Sequence, residues 1–194
     1  MQTALPAAKI WGGPEITFAS LISGEFENPE EEQFAVRVAQ VAARMEEARY
    51  FESLVRKLPL ATPIGVPSRV TSNFGMRTDP FKKRPGWHGG IDMGAGWNAP
   101  IVAAGPGTVI FAGTKSGYGR VVDVDHGQGF VSRYAHLNKV IAKRGQTVAI
   151  GDKLGLMGST GRSTGPHLHY EVLFHGKQYN PVEFIKAGKH VHED

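Results

Sequence analysis

From Ser68 onward the chain runs in short alternations of apolar and polar residues divided by glycine, and that pattern leaves few folds open. Arg120-Val-Val-Asp-Val-Asp125 alternates, turns at His126-Gly-Gln-Gly129, and resumes as Phe130-Val-Ser-Arg-Tyr-Ala-His-Leu137. The stretch from Pro100 reads as two short strands around Gly105-Pro106-Gly107, with further strands from Thr147 and around His167. A period of two sends successive side chains to opposite faces of a sheet, and glycine supplies the turns. Strands roughly ten residues apart, with no helical pattern between them, predict a mainly β, antiparallel domain folded on itself as a sandwich or open barrel. Only Pro181-Val-Glu-Phe-Ile185 suggests a short terminal turn of helix, and the tail with His190 and His192 is expected to carry no structure.

The first third of the chain is organised differently. Ile10, Trp11, Ile16, Phe18, Leu21 and Ile22 suggest a short structured lead-in. Asn28-Pro29-Glu30-Glu31 then combines a capping residue, proline at the first helical position and acids in the first turn, which together mark a helix start. Apolar residues recur at Phe34, Val38, Val41, Met45, Ala48, Phe51, Val55 and Leu58. That spacing predicts a long N-terminal α-helix over about 29–58, on the order of 45 Å at 1.5 Å per residue. Its stripe suits the β-domain, a helical hairpin, a coiled-coil partner or a second copy. Pro59, Pro63 and Pro67 then stop the helix and predict an extended linker. The expected division is 1–67, 68–185 and a tail at 186–194.

Composition narrows the chemistry. The chain has 194 residues and no cysteine, so disulfides and thiolate metal sites are excluded and any metal must be held by nitrogen and oxygen. A net charge of +4 is modest and spread out, which points to an anionic environment rather than to nucleic acid. No apolar run is long enough to span a bilayer, and Met1-Gln2-Thr3-Ala4 opens no signal-peptide pattern. The expectation is either a cytoplasmic protein or the soluble part of a longer one.

Gly165-Pro166-His167-Leu168-His169-Tyr170-Glu171 carries the chemistry. On a strand, His167 and His169 project into one space while Leu168 faces the other way. His88-Gly89-Gly90-Ile91-Asp92 adds an imidazole and a carboxylate four residues apart. The two glycines argue against a helix there and allow a tight, φ-permissive loop. His88, Asp92 and one histidine of the 167/169 pair would supply three ligands and leave the fourth tetrahedral position open, as catalytic zinc requires. Zinc polarises an acyl oxygen and makes a nucleophile of its water at neutral pH. Acid–base and charge-stabilising groups are still needed beside it. The second histidine of the pair and His136 are the candidates.

Taken together, His88-x-Gly-x-Asp92, Tyr-Ala-His136-Leu and Ser163-Thr-Gly-Pro-His167-x-His169 resemble, in order and spacing, the LytM/lysostaphin-type zinc endopeptidases. Ser72-Asn73-Phe-Gly-Met-Arg77 and Gly-Tyr118-Gly119 add to the likeness, which covers roughly 68–185. The resemblance implies a β-sheet groove that cuts cross-link or stem peptides of bacterial peptidoglycan with a zinc-activated water. It implies His88, Asp92 and His169 as zinc ligands, and His136 and His167 as acid–base and transition-state groups. Asn73 and Arg77 are implied near the groove as substrate-binding residues. Nothing points to glycine bridges, so a direct or diaminopimelate-type cross-link is expected. The implied location is the cell envelope, periplasmic or extracellular, with any membrane anchor in a segment outside this chain. A non-catalytic activator or scaffold of other wall hydrolases is the alternative, against which the complete His/Asp set argues. A lipoyl-carrier-like module lacks an attachment lysine in a turn.

Overall fold

A computed structural model describes residues 28–191, together with Gly24 and Phe26. The expected lead-in around Ile10 and Trp11, and His192 in the tail, lie outside the described residues. The chain divides into two units, Met1–Ser53 and Leu54–Asp194.

Helix α1 (Pro29–Val55) starts where Asn28 caps it. Asn28 Oδ1 accepts hydrogen bonds from the backbone N–H of Glu30 (3.1 Å) and Glu31 (3.0 Å), while its Nδ2 donates to Glu31 Oε1. The cap satisfies N–H groups that a helix start leaves without partners, and the acids at 30–32 suit the positive end of the helix dipole. The helix ends at Val55, short of the expected Leu58. Of the expected stripe, Phe34 and Val38 are half-buried, whereas Val41, Met45 and Phe51 are 56, 53 and 55% exposed.

The second unit is built on antiparallel pairing throughout. Its strands are β1 (Arg69–Ser72), β2 (Gly75–Thr78), β3 (Pro85–His88), β4 (Ile91–Gly94), β5 (Pro100–Val102) and β6 (Gly107–Lys115). There follow β7 (Gly119–Gly127), β8 (Phe130–Val140), β9 (Thr147–Val148), β10 (Lys153–Met157), β11 (Leu168–Phe174) and β12 (Lys177–Tyr179). Helix α2 (Pro181–Val191) closes the described chain. The main sheet runs β1-β4-β11-β8-β7-β6-β9, with β12 on β11 and β10 bridging β8 to β5. The hairpin β2–β3 forms a separate two-stranded sheet.

Two segments are more structured than their sequence suggests. The proline-spaced stretch lies along β5: Val102 N–H donates to Pro63 O (3.0 Å), Gly65 N–H to Pro100 O (3.0 Å), and Ala61 N–H to Ala104 O (2.8 Å). Ile64 bridges to Ile101 and is 1% exposed. Proline removes donors only at its own positions, so the residues between supply the pairing. The expected boundary at Pro67 therefore falls inside the second unit. In α2, helix continues past Ile185 into the expected tail, because Gly188 seats against Leu60, whose carbonyl would lie 2.2 Å from any Cβ there.

The pairing of β8 with β11 divides the sheet into two faces. His169 is opposite Ala135, Tyr170 opposite Tyr134, and Glu171 opposite Arg133. By strand alternation, Tyr134, Leu168, Tyr170 and Val172 enter the core with Ile91 and Leu154, all fully buried. His169, Glu171 and Arg133 occupy the other face.

Candidate metal centre and groove

His88, at the end of β3, Asp92 on β4 and His169 on β11 meet on that second face. His169 is directly opposite Asp92 in register. His88 Nε2, Asp92 Oδ1 and His169 Nδ1 lie 3.1, 3.1 and 2.9 Å apart. Four ligands around zinc at bonds near 2.0–2.1 Å would be about 3.3 Å apart, so the triangle is close to the size a zinc ion sets.

The outward hydrogen bonds decide what those atoms offer. His88 Nδ1 faces the Asn73 carbonyl at 2.7 Å, so it carries the proton and leaves Nε2 a lone pair. His169 Nε2 faces Glu171 Oε1 at 3.1 Å, so its proton is there and Nδ1 is a lone pair. Two nitrogen lone pairs and a carboxylate oxygen thus converge with no proton of their own to share. Such a donor set fits a cation. Without one, a proton must take its place, and His169 is accordingly raised above its ordinary value: burial opposes the charge, but Asp92 and Glu171 outweigh it. For Asp92 burial pulls upward, yet the adjoining His169 and His88 hold it well below the usual carboxylate range.

Beneath the triangle runs a row of buried charges. Glu171, 1% exposed, accepts from His169 Nε2, Tyr118 Oη (3.0 Å), Gln178 Nε2 (2.8 Å) and Arg133 Nη1 (3.0 Å). Arg133 also donates from Nε (2.9 Å) and Nη2 (3.1 Å) to Asp123, which takes a further bond from Lys115 Nζ (2.6 Å). The row follows strand register, Glu171 opposite Arg133 and Arg133 opposite Asp123.

His136 reaches the same space by an irregularity. Simple alternation from Tyr134 would aim it into the core. At this point, however, β8 changes partner, pairing with β11 through Ala135 and with β10 from Leu137. The register against β7 slips between Arg120 and Val122, and His136 adopts φ 61°. A bulge of this kind re-aims one side chain, and a left-handed non-glycine residue is uncommon enough to mark a site. His136 Nδ1–H donates to Thr160 O (2.7 Å), and its ring stands 4.8 Å from that of His167. Burial and the neighbouring His167 lower His136 to about 4, so it is neutral at pH 7. His167 Nδ1 faces Gly165 O (2.8 Å), and Nε2 lies 3.6 Å from Asp92 Oδ1.

The other expected residues are placed as follows. Arg77 lines the groove and donates to Asp92 Oδ2 (3.3 Å), so it also orients the Asp92 carboxylate. Asn73 reaches the site through its carbonyl and does not line the groove. Gly89 and Gly90 serve close approach rather than special φ: a Cβ would lie 2.1 Å from Gln178 Nε2 or 2.3 Å from Tyr170 O. Glu171, Arg133, Asp123 and Thr160 were not among the expected site residues. The one sequence signal for three of them is that charge recurs on the strand face shared with His169. A groove of about 620 Å³ opens over the triangle. Hairpin residues Arg77, Asp79 and Phe81 line it, as does the loop from Arg162 to Pro166.

Fold and site together define a β-groove metallopeptidase domain. The profile of Peptidase family M23 matches residues 86–181, and the chain belongs to that family. It is 39% identical over 126 residues to the peptidoglycan DD-endopeptidase ShyA of Vibrio cholerae, an alignment that takes in 64% of this chain and 29% of that protein. A zinc-containing peptidase from Vibrio cholerae superposes with TM-score 0.57 at 36% identity, over 61% of this chain and 37% of the other. The catalytic domain of the prophage-encoded M23 protein EnpA from Enterococcus faecalis superposes with TM-score 0.57 at 33% identity, over 63% of this chain and 95% of that domain. The chain thus spans under a third of the length of ShyA.

Proposed function

We infer that this chain is a zinc-dependent endopeptidase that cuts the peptide part of bacterial peptidoglycan. The observation that carries the reading is the convergence of His88 Nε2, Asp92 Oδ1 and His169 Nδ1, with outward hydrogen bonds that leave both nitrogens as lone pairs. Those three residues would hold the metal. Zinc there supplies Lewis acidity and, at neutral pH, a nucleophilic water.

The chain's own groups do the rest. His136, neutral and fixed with its proton on Nδ1, offers Nε2 as a proton acceptor for the attacking water. His167, oriented by Gly165 O, presents Nε2 beside Asp92 and, when protonated there, donates to the acyl oxygen as charge develops on it. Arg77 and Glu171 act indirectly, holding Asp92 and His169. The substrate class is supported by ShyA, named a peptidoglycan DD-endopeptidase. A direct or diaminopimelate-type cross-link fits it better than a glycine bridge. The site of action is then the cell envelope. No described helix is long and apolar enough to cross a membrane.

Zinc analysis of the purified chain and digestion of purified sacculi test the reading. About one zinc per chain and soluble products with cut peptides and intact glycan are expected. Full activity after the metal has been stripped, or products of glycan cleavage, would overturn it.

A further inference from the structure

The two walls of the groove are held very differently. The loop that leads into β11 is pinned to the sheet: Arg162 N–H donates to Gly117 O (2.8 Å) and His167 N–H to Gly158 O (3.1 Å). Gly161 packs so closely on Gly119 that a Cβ would lie 2.3 Å from its backbone nitrogen. The other wall segment is the β2–β3 hairpin, which pairs with no other strand among the described residues. Its base is fixed at His88, but its tip, with Phe81, Lys82, Lys83 and Arg84, is exposed. Asp79 shapes that tip by accepting hydrogen bonds at Oδ1 from Phe81 N–H (2.8 Å) and Lys82 N–H (2.9 Å).

One contact ties the free tip to the pinned loop. Arg162 Nη2 lies 2.6 Å from both carboxylate oxygens of Asp79, and its guanidinium stands 4.8 Å from the centre of the Phe81 ring. All three residues line the groove, so the contact is a bar that joins the hairpin to the loop. We propose that the Asp79–Arg162 pair is an access latch that discriminates between free-ended and cross-linked peptides. A peptide with a free end threads past a closed bar. A cross-link tethered at both ends has nothing to thread and enters only when the bar opens. The inference rests on the peptidoglycan reading above.

The energetics suit a latch. The Arg162 and Asp79 side chains are 42 and 20% exposed, and exposed ion pairs are weak and screened by salt. Backbone hydrogen bonds from Lys82 and Phe81, with Arg162 adding to them, lower Asp79 to about 2, so the latch stays charged at any physiological pH.

Arg162→Ala in the full zinc-loaded chain removes the bar without touching the Asp79 turn. Asp79→Asn removes the charge while keeping an oxygen for the turn, and Arg162→Lys keeps a charge without the two-oxygen grip. Each is assayed on cross-linked sacculi and on a soluble stem peptide with a free C-terminus, with hydrogen exchange followed at residues 79–84. We expect the ratio of sacculus to free-peptide turnover to rise roughly two- to five-fold in Arg162→Ala. Asp79→Asn should match it and Arg162→Lys should fall between. Exchange at the tip should quicken, and added salt should raise the wild-type ratio but not that of Arg162→Ala. An unchanged or lowered ratio with unaltered tip exchange would overturn the latch. Should neither protein cut peptidoglycan, the substrate reading fails, and tip exchange still decides whether the pair fastens the hairpin.

Discussion

Arg133 and Arg162 both grip carboxylates beside one groove, and burial makes different devices of them. Arg133 sits between Asp123 and Glu171, whose side chains are 4 and 1% exposed, and Glu171 in turn holds His169. Arg162 meets Asp79 at the rim, where water reaches both. A buried pair costs a great deal of desolvation and is stable only while every partner is present, so removing one member is severe, roughly 3–5 kcal/mol. An exposed pair is worth about 0–1 kcal/mol. The floor is therefore suited to holding His169 in one tautomer and the rim to opening and closing. Similar chemistry serves rigidity in one place and motion in the other.

The largest test of the floor separates holding metal from using it. His169→Ala removes a proposed ligand, so zinc and activity should be lost together. His136→Ala should keep its zinc and its melting temperature while turnover falls on the order of 10²–10⁴-fold. Zinc content, melting temperature and rate measured on the same preparations decide it. A zinc-free His136→Ala, or a fully active one, would dissolve the distinction between ligand and acid–base group.

Next in size is the supporting row. Arg133→Met leaves Glu171 buried without its cation, and loss of such outer contacts typically weakens metal binding 10–100-fold. Chelator competition on folded protein should show that drop, with partial recovery in Arg133→Lys. Arg162→Met should leave zinc affinity where it is. Equal effects from the two arginines would erase the contrast between floor and rim.

The smallest effects are in solvent conditions. Proton and metal compete for His169 Nδ1, and a raised His169 pKa means that the metal-free site keeps its proton to higher pH than an ordinary histidine would. Acidification should thus release zinc progressively, because ligands must be deprotonated to bind. Asp79, lowered to about 2, stays ionised across that range, so the rim should respond to salt and hardly to pH. Zinc retention from pH 8 to 5 at fixed ionic strength, set against tip exchange across a salt series, makes the comparison. Zinc release driven by salt at constant pH would contradict it.

Much of this protein is local information. Alternation of two within 120–137, glycine turns and the Asn28-Pro29 cap are properties of neighbouring residues, and they predict antiparallel strands and the start of α1 without knowledge of the rest. His167 and His169 share a side for the same reason, and motif order was enough to suggest the family. What the sequence alone left undetermined depends on register between distant segments. Which ring nitrogen of His169 faces inward is set by Glu171 Oε1, and the Glu171 carboxylate by Arg133 on another strand. The motif singles out His136 but not how it is aimed: only the change of partner from β11 to β10, with its left-handed turn, brings it into the groove. The stretch 59–67 reads as linker because prolines dominate it, yet Ile64 is buried because β5 offers a free edge. Backbone geometry is decided over a few residues by sterics and hydrogen bonding. Tautomer, side-chain aim and edge pairing are decided by partners that only the folded sheet brings within 3 Å.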